Sequence, residues 1–344
     1  MNNGVFAPDA FMRELYSQHK AEPYKNADTP EKIDAITCGL RKKTEELFAL
    51  SLLPKTDCKE KKLLFTLDYP DYILEKYSVE ICPGLFSAVF FLKPKKIKQP
   101  CPAVVALCGH GYGVRQIVNI SKHGKKKIIP YFDGYQKNFA VGLVKRGCLV
   151  AAPELFGFGE ARLQKDQWKP FYISSCDILS HHLLPYGLTV ASLRIYQALV
   201  CAELLLQEKE TDPHRLSCMG ISGGALTALY ASVLDPRIKR IVLSGYVNTF
   251  ESSILSLWHC PDNYIPDILR VGEIYDFASS LAPRELLIES GTRDKLFPIE
   301  AARLAHKEIA RVYETRGCAD KLVLDVFDGK HSVNGKKSFD FIAR

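Results

Sequence analysis

The chain has 344 residues, 47% of them hydrophobic, and a formal net charge of +7. That length holds one large α/β domain or two small ones, and the hydrophobic share is ordinary for a protein with a sizeable core. Lys and Arg are spread along the chain instead of gathered in one arm, which argues against a nucleic-acid partner.

The opening MNNGVFAPDAFMREL lacks the apolar run of a signal peptide, and no stretch comes near the length of a membrane span. The expectation is a soluble, cytoplasmic protein without a membrane partner. Residues 1–70 read as a polar, helical extension; Pro30 starts one helix that ends near Pro54. Segments 77–81 and 85–92 are rich in aromatic and β-branched residues and flank Pro83-Gly84, which signals a hairpin. Apolar runs then alternate with helical patterns. Strands are expected at 103–107, 148–152, 215–219, 240–243, 285–289 and 322–327; helices at 136–146, 188–208, 222–233, 299–313 and 338–342. This alternation predicts an α/β fold: a mostly parallel sheet with helices on both faces and an antiparallel hairpin at one edge. Residues 247–280 break the pattern and read as a lid inserted into a catalytic domain spanning 71–344.

Two basic runs, KPKKIK at 93–98 and KHGKKK at 122–127, carry no interleaved aromatics and read as solvated loops. Eleven cysteines are scattered with no C-x-x-C pair. Cys101, Cys108, Cys148, Cys201 and Cys218 sit in apolar runs, as buried reduced thiols do. No zinc ribbon or redox motif is expected, and the acyl-transfer chemistry read below needs no metal or cofactor.

The chemistry concentrates in three places. Gly220-Ile221-Ser222-Gly223-Gly224 is a G-x-S-x-G sequence between a predicted strand and a predicted helix, the setting in which that motif makes a nucleophile elbow. A serine hydroxyl needs a base beside it. His331, directly after the last strand, is the candidate base; Asp294, directly after the strand 285–289, is the candidate acid that orients it, with Asp328 as the alternative. The amide of Gly223 is the first oxyanion donor, aided by the helix start. The second comes from the glycine-rich loop Gly109-His110-Gly111-Tyr112-Gly113, from Tyr112 or else Gly111, while His110 reads as a structural loop histidine. Tyr112, Phe156, Phe158, Trp258 and Tyr264 are candidates to line the substrate pocket, or else simply fill the core.

CGHGYG (108–113), PELFGFGEAR (153–162), DPHRLSCMGISGG (212–224), DPRIKRIVLSGYVNTF (235–250), APRELLIESGTRDKLFP (282–298) and VFDGKHSVNG (326–335) together resemble the dienelactone-hydrolase-like and acetyl-xylan-esterase-like branch of the α/β-hydrolase superfamily. The resemblance implies the α/β-hydrolase fold and a metal-independent ester hydrolase, with Ser222 as nucleophile, Asp294 as acid and His331 as base, acting on small esters such as acetyl esters. Two positions depart from the pattern. Dienelactone hydrolase has a cysteine where Ser222 stands, so lactone cleavage is not implied, and Lys330 stands where glycine often precedes the base. A thioesterase, an amidase, a peptidase, or a binding protein on a hydrolase scaffold remain as alternatives.

Overall fold

The computed structural model describes residues 6–54, 60–96, 100–121, 124–125 and 134–344. Parts of both basic runs, at 97–98, 122–123 and 126–127, lie outside the described residues.

The order of elements follows from where apolar runs and helix signals fall. Helix α1 spans Asp9–His19, and α2 spans Pro30–Leu47. Thr29 caps α2, its side chain accepting from the Lys32 amide at 3.3 Å, and Pro30 occupies the first turn, where a missing N–H costs nothing. This helix ends at Leu47, well short of Pro54. Strand β1 (Lys61–Asp68) follows. It corrects the expectation that 1–70 is helical throughout. Its side chains are mostly exposed, so it carries little of the buried alternation by which strands are recognised. Next come β2 (Tyr72–Cys82), β3 (Leu85–Pro94), β4 (Cys101–Leu107), α3 (Val114–Val118), α4 (Phe139–Val144) and β5 (Leu149–Pro153). The second half contains α5 (Cys176–Leu183), α6 (Val190–Gln207), β6 (Thr211–Ile221), α7 (Gly223–Leu234) and β7 (Arg240–Ser244). It closes with α8 (Ile274–Ser279), β8 (Glu285–Gly291), α9 (Ile299–Thr315), β9 (Leu322–Phe327) and α10 (Ser338–Ala343).

One sheet joins these strands in the order β1-β2-β3-β5-β4-β6-β7-β8-β9. Strands β4 to β9 run parallel, and β1, β2 and β3 are antiparallel at one edge. All residues of β4 and β5 are buried, as expected for inner strands covered on both faces. Helices α6 and α7 pack on each other and on the middle strands, α2 packs on α7, and α8 links α7 to α9; α3, α4 and α10 form a second group.

Helix α6 corrects another expectation. By length and composition its 18 residues could cross a membrane, but 67% of them are buried inside the fold. It is apolar all round because it lies between the sheet and its neighbouring helices.

Residues 247–280 contain no strand; they hold turns, short 3-10 turns and α8. This insertion is tied to α1, since the Tyr16 hydroxyl donates to Glu273 at 2.5 Å, while Glu273 also accepts from the Phe250 amide at 2.9 Å.

Candidate active site

Parallel strands β6, β8 and β9 end on the same side of the sheet, and each is followed by a loop carrying a chemistry-bearing residue. Ser222 joins β6 to α7. Its φ of 56° and ψ of −125° lie outside the regions that a residue with a side chain prefers, the strained elbow that lifts the hydroxyl clear of the strand. The turn closes only because its flanks are glycine: a Cβ on Gly220 would lie 2.2 Å from the Gly224 carbonyl oxygen, and one on Gly224 would lie 2.1 Å from that of Leu107. Ser222 is half-buried, and its amide donates to Ser244 O at 2.9 Å.

His331 and Asp294 meet. The imidazole Nδ1–H donates to Asp294 Oδ2 at 2.7 Å. Asp294 is buried, and its other oxygen accepts the amides of Leu296 at 2.9 Å and Phe297 at 3.1 Å. Asp328 turns away to solvent and pairs with Arg293 at 3.0 Å. The His331 ring lies between two aromatic rings, Tyr135 at 5.5 Å and Phe297 at 5.7 Å, both close to parallel with it. It also packs against Gly245: a Cβ there would lie 3.0 Å from the ring. Gly245 follows Ser244, to which Ser222 is bonded, so the imidazole and the serine share one small neighbourhood. The far nitrogen, Nε2, is buried and makes no hydrogen bond among the described residues. The hydroxyl-to-imidazole bond is therefore not formed here; such bonds often tighten only around substrate.

Sequence reasoning missed the residues that hold this arrangement. One is Glu289, the last residue of the strand expected at 285–289. It is buried in β8, and its carboxylate accepts from the Ser244 hydroxyl, from the Asn334 amide at 3.1 Å and from the Gly335 amide at 3.0 Å, anchoring the loop after His331 to the strand that precedes the Asp294 loop. Tyr135 donates its hydroxyl to His110 O at 2.6 Å and so links the glycine-rich loop to the face of His331. Neither role has a sequence signal, because each depends on contacts between distant segments.

The oxyanion candidates lie where expected along the chain: Gly223 opens α7, and Gly111 and Tyr112 lie in the loop between β4 and α3. Gly111 has a φ of 107°, a conformation that glycine adopts freely. Of the pocket candidates, Tyr112 is 52% exposed and Trp258 83% exposed. Tyr264 lines an apolar cavity of about 490 Å³ with Phe250 and Leu255. Phe156 and Phe158 are buried, and Phe158 packs edge-on to His110 at 4.8 Å and against Arg194 at 4.1 Å. Phe158 is thus packed between the His110 ring and the Arg194 guanidinium, with almost no exposed surface.

A second cluster adjoins the elbow. His110, Cys176, Cys260 and Asp262 bring their donor atoms within 4.8 Å of one another. Such a set has the chemistry of a zinc site. However, the buried guanidinium of Arg194 already donates to Asp262 and, at 2.9 Å, to Cys176, so two of the four donors have a cation supplied by the chain. The charges sort accordingly. Burial would lower the pKa of His110, but the carboxylate of Asp262 outweighs it and lifts it to about 9. Burial would raise that of Asp262, and His110 and Arg194 together push it far below the usual range. Cys176 is held well below a normal thiol by its hydrogen bond to Cys260 and, against burial, by Arg194 and His110; Cys260 is raised in return. Burial lowers His259.

No family model matches the chain. It is 29% identical over 238 residues to YtaP of Bacillus subtilis (strain 168), a protein assigned as a hydrolase, covering 67% of this chain and 73% of YtaP. Among solved structures, a Bacteroides fragilis NCTC 9343 protein assigned as an acetyl xylan esterase superposes with a TM-score of 0.79 at 17% identity, covering 98% of this chain and 90% of that one. Acetyl Xylan Esterase 1 from a Thermoanaerobacterium species gives 0.57 at 15% identity, covering 96% and 98%. A glucuronoyl esterase from Solibacter usitatus gives 0.61 at 14%, covering 88% and 91%. At these identities, the likeness shows a shared fold.

Proposed function

We propose that this chain, which has the α/β-hydrolase fold, hydrolyses carboxylic esters through an acyl-enzyme on Ser222, with His331 as general base and Asp294 as the acid that orients it. The observation that carries the reading is the Asp294–His331 hydrogen bond beside a strained serine at the start of a helix. The names of the structural relatives, which are carbohydrate esterases, support the substrate class.

In this mechanism Ser222 attacks the ester carbonyl as Nε2 of His331 takes its proton. Among the described residues, that nitrogen has no competing hydrogen bond. The amides of Gly223 and Tyr112 hold the oxygen that becomes negative, and the start of α7 adds its dipole. His331 returns the proton to the departing alcohol and then activates water against the acyl-enzyme. Asp294 keeps the imidazole in the tautomer whose Nε2 can accept and stabilises the imidazolium. Small acyl groups, acetyl above all, are the proposed substrates, with Tyr112 and Trp258 as exposed aromatic surfaces for the alcohol portion. The catalytic unit, expected at 71–344, extends to include β1, which pairs with β2 in the same sheet, and has 247–280 as lid.

The test is a panel of p-nitrophenyl acetate, acetylated sugars, methyl esters of uronic acids, short-acyl thioesters and amides, run on wild type and Ser222→Ala. Hydrolysis of esters that disappears in the variant supports the reading. Turnover confined to thioesters or amides moves the function to those classes, and activity that survives in the variant refutes the nucleophile.

A further inference from the structure

His110 has more structure around it than a loop histidine needs. Its Nε2 lies 3.0 Å from Asp262 Oδ2. The adjoining edge of the ring, Cε1 and Nδ1, would lie 3.2 and 3.3 Å from a Cβ on Gly223, so the ring rests on the first residue of α7. Behind it, Asp262 is buried and receives Arg194. Arg194 is itself wholly buried and fixed by donating to Phe156 O at 2.9 Å and Cys176 Sγ at 2.9 Å. The groups that face His110 come from three elements: Asp262 and Cys260 from the insertion, Cys176 from α5 and Arg194 from α6. His259, also from the insertion, lies close enough to feel its charge. Burying two cations with a carboxylate and with a thiol, Cys176, that they draw toward its anionic form is a poor way to add stability. It does fix a charged imidazole ring at one place, beside the amide proposed to bind the oxyanion.

We infer that His110 is a charged donor to the oxyanion, its imidazolium edge lying over Gly223 where negative charge develops on the carbonyl oxygen, with Asp262 and Arg194 as the positioning residues that hold it there. The inference rests on the ester-hydrolase reading of Ser222. His110 keeps its proton throughout; Ser222, His331 and the leaving alcohol exchange theirs without it. The positive charge stabilises the tetrahedral intermediate more than the neutral ester, so its effect falls on kcat.

The experiment measures kcat and KM for p-nitrophenyl acetate from pH 6 to 10 in wild type, His110→Gln and Asp262→Asn, with Ser222→Ala as the background. In wild type, kcat should fall as His110 loses its proton near pH 9. His110→Gln should lower kcat about 100-fold with little change in KM, and should abolish the alkaline fall. Asp262→Asn should move that fall to lower pH, because the carboxylate that retains the proton is gone. A structural role alone would lower activity and melting temperature without changing the shape of the profile. A wild-type profile flat to pH 10, or a His110→Gln kcat within threefold of wild type, overturns the inference; the first of these needs no variant to fold. If Ser222→Ala stays active, the underlying hydrolase reading has failed instead.

Discussion

Asp294→Asn isolates the contribution of the acid because the structure dictates how the new amide must sit. Asp294 Oδ1 accepts two backbone N–H groups, from Leu296 and Phe297, and Oδ2 accepts the Nδ1–H of His331. An asparagine placed there must keep its carbonyl oxygen toward the two backbone donors, since its NH2 would face two N–H groups. The NH2 then points at His331 Nδ1, which has to become the acceptor. The ring proton moves to Nε2, the nitrogen that should receive the Ser222 proton. Loss of the correct tautomer is worth on the order of 10⁴ in kcat, or about 5.4 kcal/mol in the barrier. The backbone contacts survive, so the fold should too. The assay is steady-state hydrolysis of p-nitrophenyl acetate alongside a thermal melt. A folded variant with kcat within tenfold of wild type would refute the reasoning and take the orienting role away from Asp294.

Arg194→Met leaves Asp262 buried without its guanidinium and should cost about 3–5 kcal/mol in a urea titration; a loss below about 1 kcal/mol would mean that the pair is dispensable. Asp276, in the first turn of α8, has its pKa raised from 3.8 to about 7 by burial, with the charge of Glu273 adding to the effect. The folded protein therefore holds this proton where the unfolded chain has released it. The associated stability is complete below pH 3.8 and is lost as pH rises to about 7. Asp276→Asn should flatten the decline in melting temperature across that window, and an unchanged slope would assign the decline to other groups.

The sheet and its helices were legible because β4 to β8 are short apolar runs between turn residues, and buried inner strands have no other way to look. The elbow was legible for a different reason: Gly220 and Gly224 are demanded by atoms 2.1–2.2 Å away, so local backbone crowding writes itself into the sequence. Asp294 and His331, which the structure brings into hydrogen-bond contact, were singled out from their places after β8 and β9. Strand β1 was missed because its hydrophobic residues, Leu63, Leu64, Phe65 and Leu67, run together instead of alternating, which leaves no two-residue period to read. The charge network behind His110 was invisible for want of any local signal: Arg194 stands inside an apolar helix and Asp262 in a loop 68 residues away. The apolar stretch of α6 that accompanies Arg194 looks membrane-ready by composition and is instead a core helix.

Ser222 as the activated nucleophile is the assignment on which every step of the proposed mechanism depends. Incubation with a fluorophosphonate, followed by intact mass and peptide mapping, measures it directly. One adduct is expected, on Ser222, and none in Ser222→Ala. An adduct on a different serine, or labelling that persists in the variant, would contradict it.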